Sequence, residues 1–209
     1  MRPFLQMTMF EEHQLAGGAI AGNGEALQSL WQHHRRWVAA VLLAHKPRDA
    51  ELDDLLQDVA MALVKNIHTL KDPASVKPWL RTIAVNIARS EGRRKKVADQ
   101  AAPVLAESAR RFADLRASTE AQQAREEGRR ALEAAQTLPP EYREPLLLRA
   151  VRGMSYRHIA DVMDVPMTTV ETRIARARRM LRQELDRTDA ETETRAAHGP
   201  RMNVGDNES

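Results

Sequence analysis

Thr168, Thr169, Glu171, Thr172, Arg173, Ala175, Arg176, Arg178 and Arg179 bring hydroxyls, a carboxylate, a methyl and four guanidinium groups into one short stretch. These side chains are the kinds that meet a nucleic-acid duplex. A guanidinium fork takes the two acceptors of guanine, a carboxylate accepts from the cytosine amino group, and a small apolar side chain meets the thymine methyl. Hydroxyls and further cations hold phosphates, which set register without reading sequence. Arg176 therefore suits guanine, Glu171 cytosine and Ala175 thymine, while Arg173 and Arg178 suit phosphates.

Such groups act together only if one helix presents them on one side. Val170, Ile174, Ala177 and Leu181 recur at spacings of four, three and four, which makes an inner stripe. Thr168, Thr172, Ala175, Arg176 and Arg179 fall opposite it, with Glu171, Arg173, Arg178 and Arg182 on the flanks. Thr168-x-x-Glu171, just after Pro166, fits a capping box. Upstream, Ser155 suits the N-cap of a helix whose inner face is Ile159, Ala160 and Met163, and Asp164-Val165-Pro166 makes a short turn between the two. The pair reads as a helix-turn-helix. A plain amphipathic hairpin with its arginines in water is the competing account. The short turn, the small Ala160 and the arginine-rich outer face together favour DNA.

The 209-residue chain has room for one medium domain or two small ones. With 43% hydrophobic but only 4% aromatic residues, it suits small helical cores. It has no cysteine, which excludes a disulfide framework and cysteine-ligated metal. Its longest apolar run, Trp37 to Ala44, is too short to span a bilayer, and Glu11 and Glu12 interrupt any signal peptide, so a cytoplasmic protein without a membrane role is expected. The net charge of +3 divides unevenly: residues 184–209 carry −4 and the rest +7. A basic body suits a polyanionic partner, because neutralised phosphates release counterions.

Two more clusters stand upstream. A helix over 51–67 buries Leu52, Leu55, Leu56, Val59 and Leu63 and shows Glu51, Asp54, Gln57 and Asp58 outward. The carboxylates raise a metal-dependent hydrolase built on Asp53, Asp54 and Asp58, but no second ligand cluster accompanies them. A face that docks a basic partner is the better account, and no metal, cofactor or catalytic residue is expected. A third helix, with Ser75 as a candidate cap and Pro78 in its first turn, carries Val76, Trp79, Leu80, Ile83 and Ile87 at helical spacing. Asn86, Arg89, Arg93, Arg94, Lys95 and Lys96 follow as a basic end. With Trp79 they suit a DNA strand, the amide reading a base edge and the cations holding phosphates.

The remaining chain supports these clusters. Residues 25–44 read as a long helix with His33 and His34 on its polar face, preceded by a short helix that ends at Gly22-Asn23-Gly24. Residues 97–125, rich in Ala, Glu, Gln and Arg, read as a tether. Leu138-Pro139-Pro140 opens a second unit whose first helix contains Pro145, a residue that should bend it.

Taken together the motifs resemble those of the sigma factors of bacterial RNA polymerase, in the compact extracytoplasmic-function group. The resemblance covers about residues 23–96 and 132–185. Glu51-Leu-Asp-Asp-Leu-Leu-Gln-Asp-Val59 is similar to the family's polymerase-docking helix, and Trp79-Leu-Arg-Thr-Ile-Ala-Val-Asn86 to its promoter-melting helix. Leu138-Pro139-Pro140 with Arg143, Ser155 to Ala160, and Thr169-Val170 through Arg178 are similar to the domain that reads the minus-35 element. The chain departs from the pattern at Ser90, His158 and Glu171, which leaves the promoter sequence open.

The expectation is an all-α protein of two small helical domains on a flexible linker, the C-terminal one a helix-turn-helix. The divisions are an N-terminal segment (1–22), a region 2-like domain (23–96), a linker (97–125), a region 4-like domain (126–186) and a disordered acidic tail (187–209). The resemblance implies three roles. Glu51, Asp54, Gln57 and Asp58 would bind core polymerase; Trp79, Asn86, Arg89, Arg93, Arg94, Lys95 and Lys96 the minus-10 DNA; and Thr168 to Arg179 the minus-35 DNA. It also leaves room for an anti-sigma factor as a further partner. A stand-alone helix-turn-helix regulator is the rival, but it has no use for the acidic helix or the Trp79-to-Asn86 segment.

Overall fold

Several helix starts in this chain are set by side chains that take up orphan backbone amides. Thr8 Oγ1 accepts from the Glu11 N–H at 3.2 Å and the Glu11 carboxylate accepts from the Thr8 N–H at 2.8 Å, a capping box that opens α1 (Met9–Ile20). Gly22, at φ +89°, turns the chain in a conformation that favours glycine. Asn23 Oδ1 then accepts from the Ala26 N–H at 3.0 Å and starts α2 (Gly24–His45). The Lys46 ammonium donates to the carbonyls of Pro47, Arg48 and Ala50 and so closes the loop to α3 (Leu52–Asn66). After a 3-10 turn (Ile67–Thr69), Asp72 caps a second one (Pro73–Ser75) that leads into α4 (Val76–Ala101). Ser75, expected to cap, instead donates its hydroxyl to Asp72, because the 3-10 turn moves the helix start forward to Asp72.

The computed structural model describes residues 8–101 and 119–197, and among these every regular element is helical. The expected tether is partly helix: α4 runs to Ala101 and α5 (Thr119–Ala135) resumes at Thr119, while 102–118 lie outside the described residues. On α5, Arg129 pairs with Glu126 and Glu133 one turn to either side, a local support that apolar periodicity does not register. α6 (Pro140–Arg152) starts on Pro140, where the missing amide costs little, and continues through the buried Pro145. Gly153 at φ +62° ends it, with its N–H on the Arg149 carbonyl and that of Met154 on the Leu148 carbonyl.

α7 (Tyr156–Met163) and α8 (Met167–Ala197) follow. α8 continues through 187–197, where the composition predicts loss of structure. Arg187 pairs with Glu184 and Glu191 along it, and Arg130 of α5 pairs with Asp189 across to it. The rest of the tail, 198–209, lies outside the described residues.

α2 is the hub, packing on α1, α3, α4 and also α6, while α4 packs on α7. Leu30, Val38, Val41 and Leu42 of α2, Val59 and Leu63 of α3, and Leu80, Ala84 and Ala88 of α4 are buried together. The same apolar cluster runs on into Leu147, Leu148, Ile159, Val162, Val170 and Ile174. Two separate cores are the expectation from the tether; instead the units share one, with only a small satellite of Leu138, Leu146 and Ala177 apart from it.

Candidate nucleic-acid interface

The helix-turn-helix is built as its spacing predicts. Val170, Ile174 and Ala177 are buried, and Thr168, Glu171, Thr172, Ala175, Arg176, Arg178 and Arg179 are exposed. Thr169 and Arg173 are half-buried at the edge of that face. Ser155 Oγ accepts from the His158 N–H at 3.2 Å and caps α7. Asp164 ends α7 in the left-handed region at φ 53°, a conformation that aspartate tolerates, and the Val165 N–H returns to the Ala160 carbonyl.

The Thr168–Glu171 capping box does not form. α8 already starts at Met167, so Thr168 is within its first turn, and the Pro166 carbonyl accepts from Thr169 and Val170 at 2.9 and 3.3 Å. Pro166 has taken the cap position, which leaves the exposed Glu171 carboxylate outside the cap. Arg176 is braced: its guanidinium lies over the Tyr142 ring of α6, 5.4 Å from the centroid. Tyr142 escapes sequence reasoning because the contact joins two helices that are not neighbours in sequence.

On α4, Thr82, Asn86, Arg89 and Arg93 are exposed at spacings of four, three and four, so they form one outward stripe. Trp79 is half-buried against the core at the stripe's N-terminal end. Arg93 donates to Ser90 Oγ at 2.8 Å. Arg94 leaves the stripe for Glu91, 3.7 Å away. The Lys95 and Lys96 side chains lie outside the described residues.

The start of α4 is anchored by Glu12 of α1, which pairs with Lys77 and lies 3.1 Å from Nε2 of His34. His34 is fully buried rather than on a polar face, because α1 folds over that side of α2. Burial alone would raise the Glu12 pKa. His34 and Lys77 outweigh it and hold the carboxyl down at about 2.

Glu51, at the N-cap of α3, and Asp54, Gln57 and Asp58 on the helix are exposed above the buried Leu55, Leu56, Val59 and Leu63. A hollow of about 460 Å³ is lined by Glu51, Asp54 and Asp58 together with Glu91 and Arg94 of α4. Arg94, expected with the minus-10 set, thus borders the acidic face. Met61 and Val64 are exposed further along α3, and Met61 continues the Asp54–Asp58 stripe. Carrying that spacing one turn beyond Asp58 would have found it. Among the described residues no three His, Asp or Glu side chains group closely enough to hold a metal ion, and no helix is long and apolar enough to cross a membrane.

Residues 30–97 match the family described as Sigma-70 region 2 and residues 128–181 match Sigma-70, region 4, together more than half of the chain. The ECF RNA polymerase sigma-E factor of Haemophilus influenzae is 28% identical over 174 residues, covering 78% of this chain and 89% of that protein. That of Escherichia coli is 29% identical over 164 residues, covering 75% and 85%. The chain belongs to the extracytoplasmic-function sigma factors. Among solved structures, CnrH in complex with the cytosolic domain of CnrY matches this sigma factor with a TM-score of 0.57 at 28% identity, covering 84% of this chain and 97% of that one. The sigma factor RpoE of Bartonella quintana, solved with the anti-sigma factor NepR, shares the fold at a TM-score of 0.50 and 24% identity, covering 78% and 95%. The α3 and α4 faces fall within the region 2 match, and the α8 face within region 4.

Proposed function

We propose that this sigma factor is a dissociable cytoplasmic subunit that brings core RNA polymerase to promoters, with its three exposed faces dividing the work. Asp54, Gln57 and Asp58, extended by Met61, dock on the polymerase. Asn86, Arg89 and Arg93, beside Trp79, take the minus-10 strand: the amide suits an extruded base and the guanidiniums suit phosphates. Thr168 to Arg179 enter the major groove at the minus-35 element, with Arg176 and Glu171 on base edges. CnrH was solved with the cytosolic domain of another protein, and an anti-sigma factor is a partner of the same kind for this chain.

One observation carries the reading. The outer face of α8 and the stripe on α4 are both exposed, and each is laid over its own buried apolar stripe. Permanganate reactivity of unpaired thymines tests it. Core enzyme with this chain should open a cognate promoter near the minus-10 element, and Asn86→Ala should reduce opening more than closed-complex formation. If the free chain protects a discrete site at nanomolar concentration and core polymerase adds neither affinity nor melting, the proposal is wrong.

A further inference from the structure

Among the described residues, Arg173, Arg178 and Arg179 of the α8 face have no side-chain partner, whereas Arg176 does. That partner is a ring and not a carboxylate. The Arg176 guanidinium lies over Tyr142 of α6, 5.4 Å from the centroid, within the range of a cation–π contact. The difference matters because the N–H donors of arginine lie in the guanidinium plane. A carboxylate would consume a pair of them, while an aromatic ring takes only the face. Arg149 makes the contrast. It also lies over a ring, that of Tyr156, but it spends its donors on the Gly153 and Met154 carbonyls at 3.4 and 2.8 Å. Arg176 donates to no acceptor among the described residues.

The ring is held from behind. Pro139 and Pro140 fix the entry to α6, and the Pro139 carbonyl accepts from the Tyr142 and Arg143 N–H groups at 3.0 Å each. Arg143 also donates to the Gln136 carbonyl at 2.8 Å, which ties this first turn to the chain just after α5. Tyr142 itself is half-buried against Leu138, Leu146 and Ala177, so its ring is a fixed platform. Ala177 is the neighbour of Arg176 and brings the platform beside the reading face. The Tyr142 hydroxyl has no hydrogen-bond partner among the described residues, so the ring alone makes the contact.

An exposed arginine gives up much rotamer freedom when it forks onto one base. A platform that holds the fork beforehand removes part of that cost, and only at its own position. Building on the minus-35 role proposed for α8, we infer that Tyr142 is a positioning residue for base readout. Its ring holds Arg176 by the face, leaves the donor edge open, and thereby sets the preference for guanine at one base pair.

The test selects from promoters randomised across the minus-35 element, using holoenzyme made from core polymerase and the full chain. Arg176→Ala should erase a guanine preference at one base pair, a loss of at least about tenfold. Tyr142→Leu should lower the same preference about three- to fivefold, spare other positions, and add nothing in the Arg176→Ala background. Tyr142→Phe should match the parent, since it loses only the hydroxyl. Tyr142→Met replaces the leucine variant if circular dichroism shows that the latter has lost helicity. A second readout needs no DNA: the heteronuclear Overhauser effect at Arg176 Nε–H should fall in Tyr142→Leu and stay parental in Tyr142→Phe. A loss spread evenly over all sequences, a loss at another base pair, or an Arg176 Nε–H equally mobile in parent and leucine variant overturns the positioning role. If Arg176→Ala alone changes the preference, the promoter reading stands and the inference falls. If the parent selects no minus-35 sequence while Tyr142→Leu still frees Arg176 Nε–H, the promoter reading falls and the bracing stands.

Discussion

The Glu12 anchor makes a sharp prediction, because its strength depends on pH in a direction the structure dictates. The carboxyl is 11% exposed, with the Lys77 ammonium and the His34 ring against it, and its pKa lies at about 2 against an ordinary 4.5. A depressed carboxyl contributes stability that is fully present above pH 4.5 and is lost as pH falls through about 2, since the unfolded chain takes up the proton first. At about 1.4 kcal/mol per pKa unit, the full contribution is on the order of 3 kcal/mol. About 2 kcal/mol of it should vanish between about pH 6 and pH 3. The perturbation is Glu12→Gln, which keeps the shape and removes the charge. The assay is urea unfolding followed by tryptophan fluorescence. All three tryptophans, Trp31, Trp37 and Trp79, lie in the first unit, so the signal reports the domain that Glu12 anchors. The stability gap between parent and variant should be widest near pH 6 and shrink by about 2 kcal/mol at pH 3. Comparing the two proteins cancels the other carboxylates. A gap that stays constant across that range would show that Glu12 acts through packing and not through its charge.

Asp58→Lys, on the exposed acidic stripe, should weaken core polymerase binding about tenfold while leaving the melting temperature unchanged, as checked by titration with labelled protein and a thermal scan. Unaltered affinity would return Asp54 and Asp58 to the solvent. Glu171 lies outside the α8 cap, so Glu171→Gln should leave stability alone and alter preference at one or two adjacent base pairs of the minus-35 element by about 1–3 kcal/mol. Selection from randomised promoters reads this, and a uniform change across sequences would mean that Glu171 contributes only a general field.

The features legible in the sequence are those a single helix records about itself. The stripe of Val170, Ile174 and Ala177 and the stripe of Leu55, Val59 and Leu63 each repeat at the helical period, and burial follows that period closely. Each polar face then appears as the complement of its apolar stripe, which is why the exposed sets on α3, α4 and α8 are within reach of a sequence argument. Caps are less legible. Thr168–Glu171 has the right spacing, but Pro166 begins the helix a step earlier, and a spacing rule cannot tell which of two nearby starts the chain adopts. The extension of α8 to Ala197 escapes for a related reason. Ion pairs one turn apart, as between Arg187 and Glu184 or Glu191, support a helix without any apolar period.

The contact between the units is a different kind of omission. Glu144 stands directly before an apolar run, Pro145 to Leu148, and in sequence it reads as the polar side of an amphipathic helix. Its partners lie 63 and 99 residues away, one on α4 and one at the end of α2. Neither Arg81 nor His45 is unusual where it stands. Arg81 follows the buried Leu80, and His45 occupies the last turn of α2, where a basic side chain suits the helix dipole. Each residue thus has a sufficient local explanation, and local explanations hide long-range ones. The usable clue is the mismatch on α6 itself. A carboxylate followed by Pro145 and three consecutive leucines shares the buried face of α6, and a carboxylate on such a face needs a cation from elsewhere. That mismatch marks Glu144 as a residue in search of a partner. Only the packing of α6 on α2 and of α7 on α4 shows that the partner lies on the other unit.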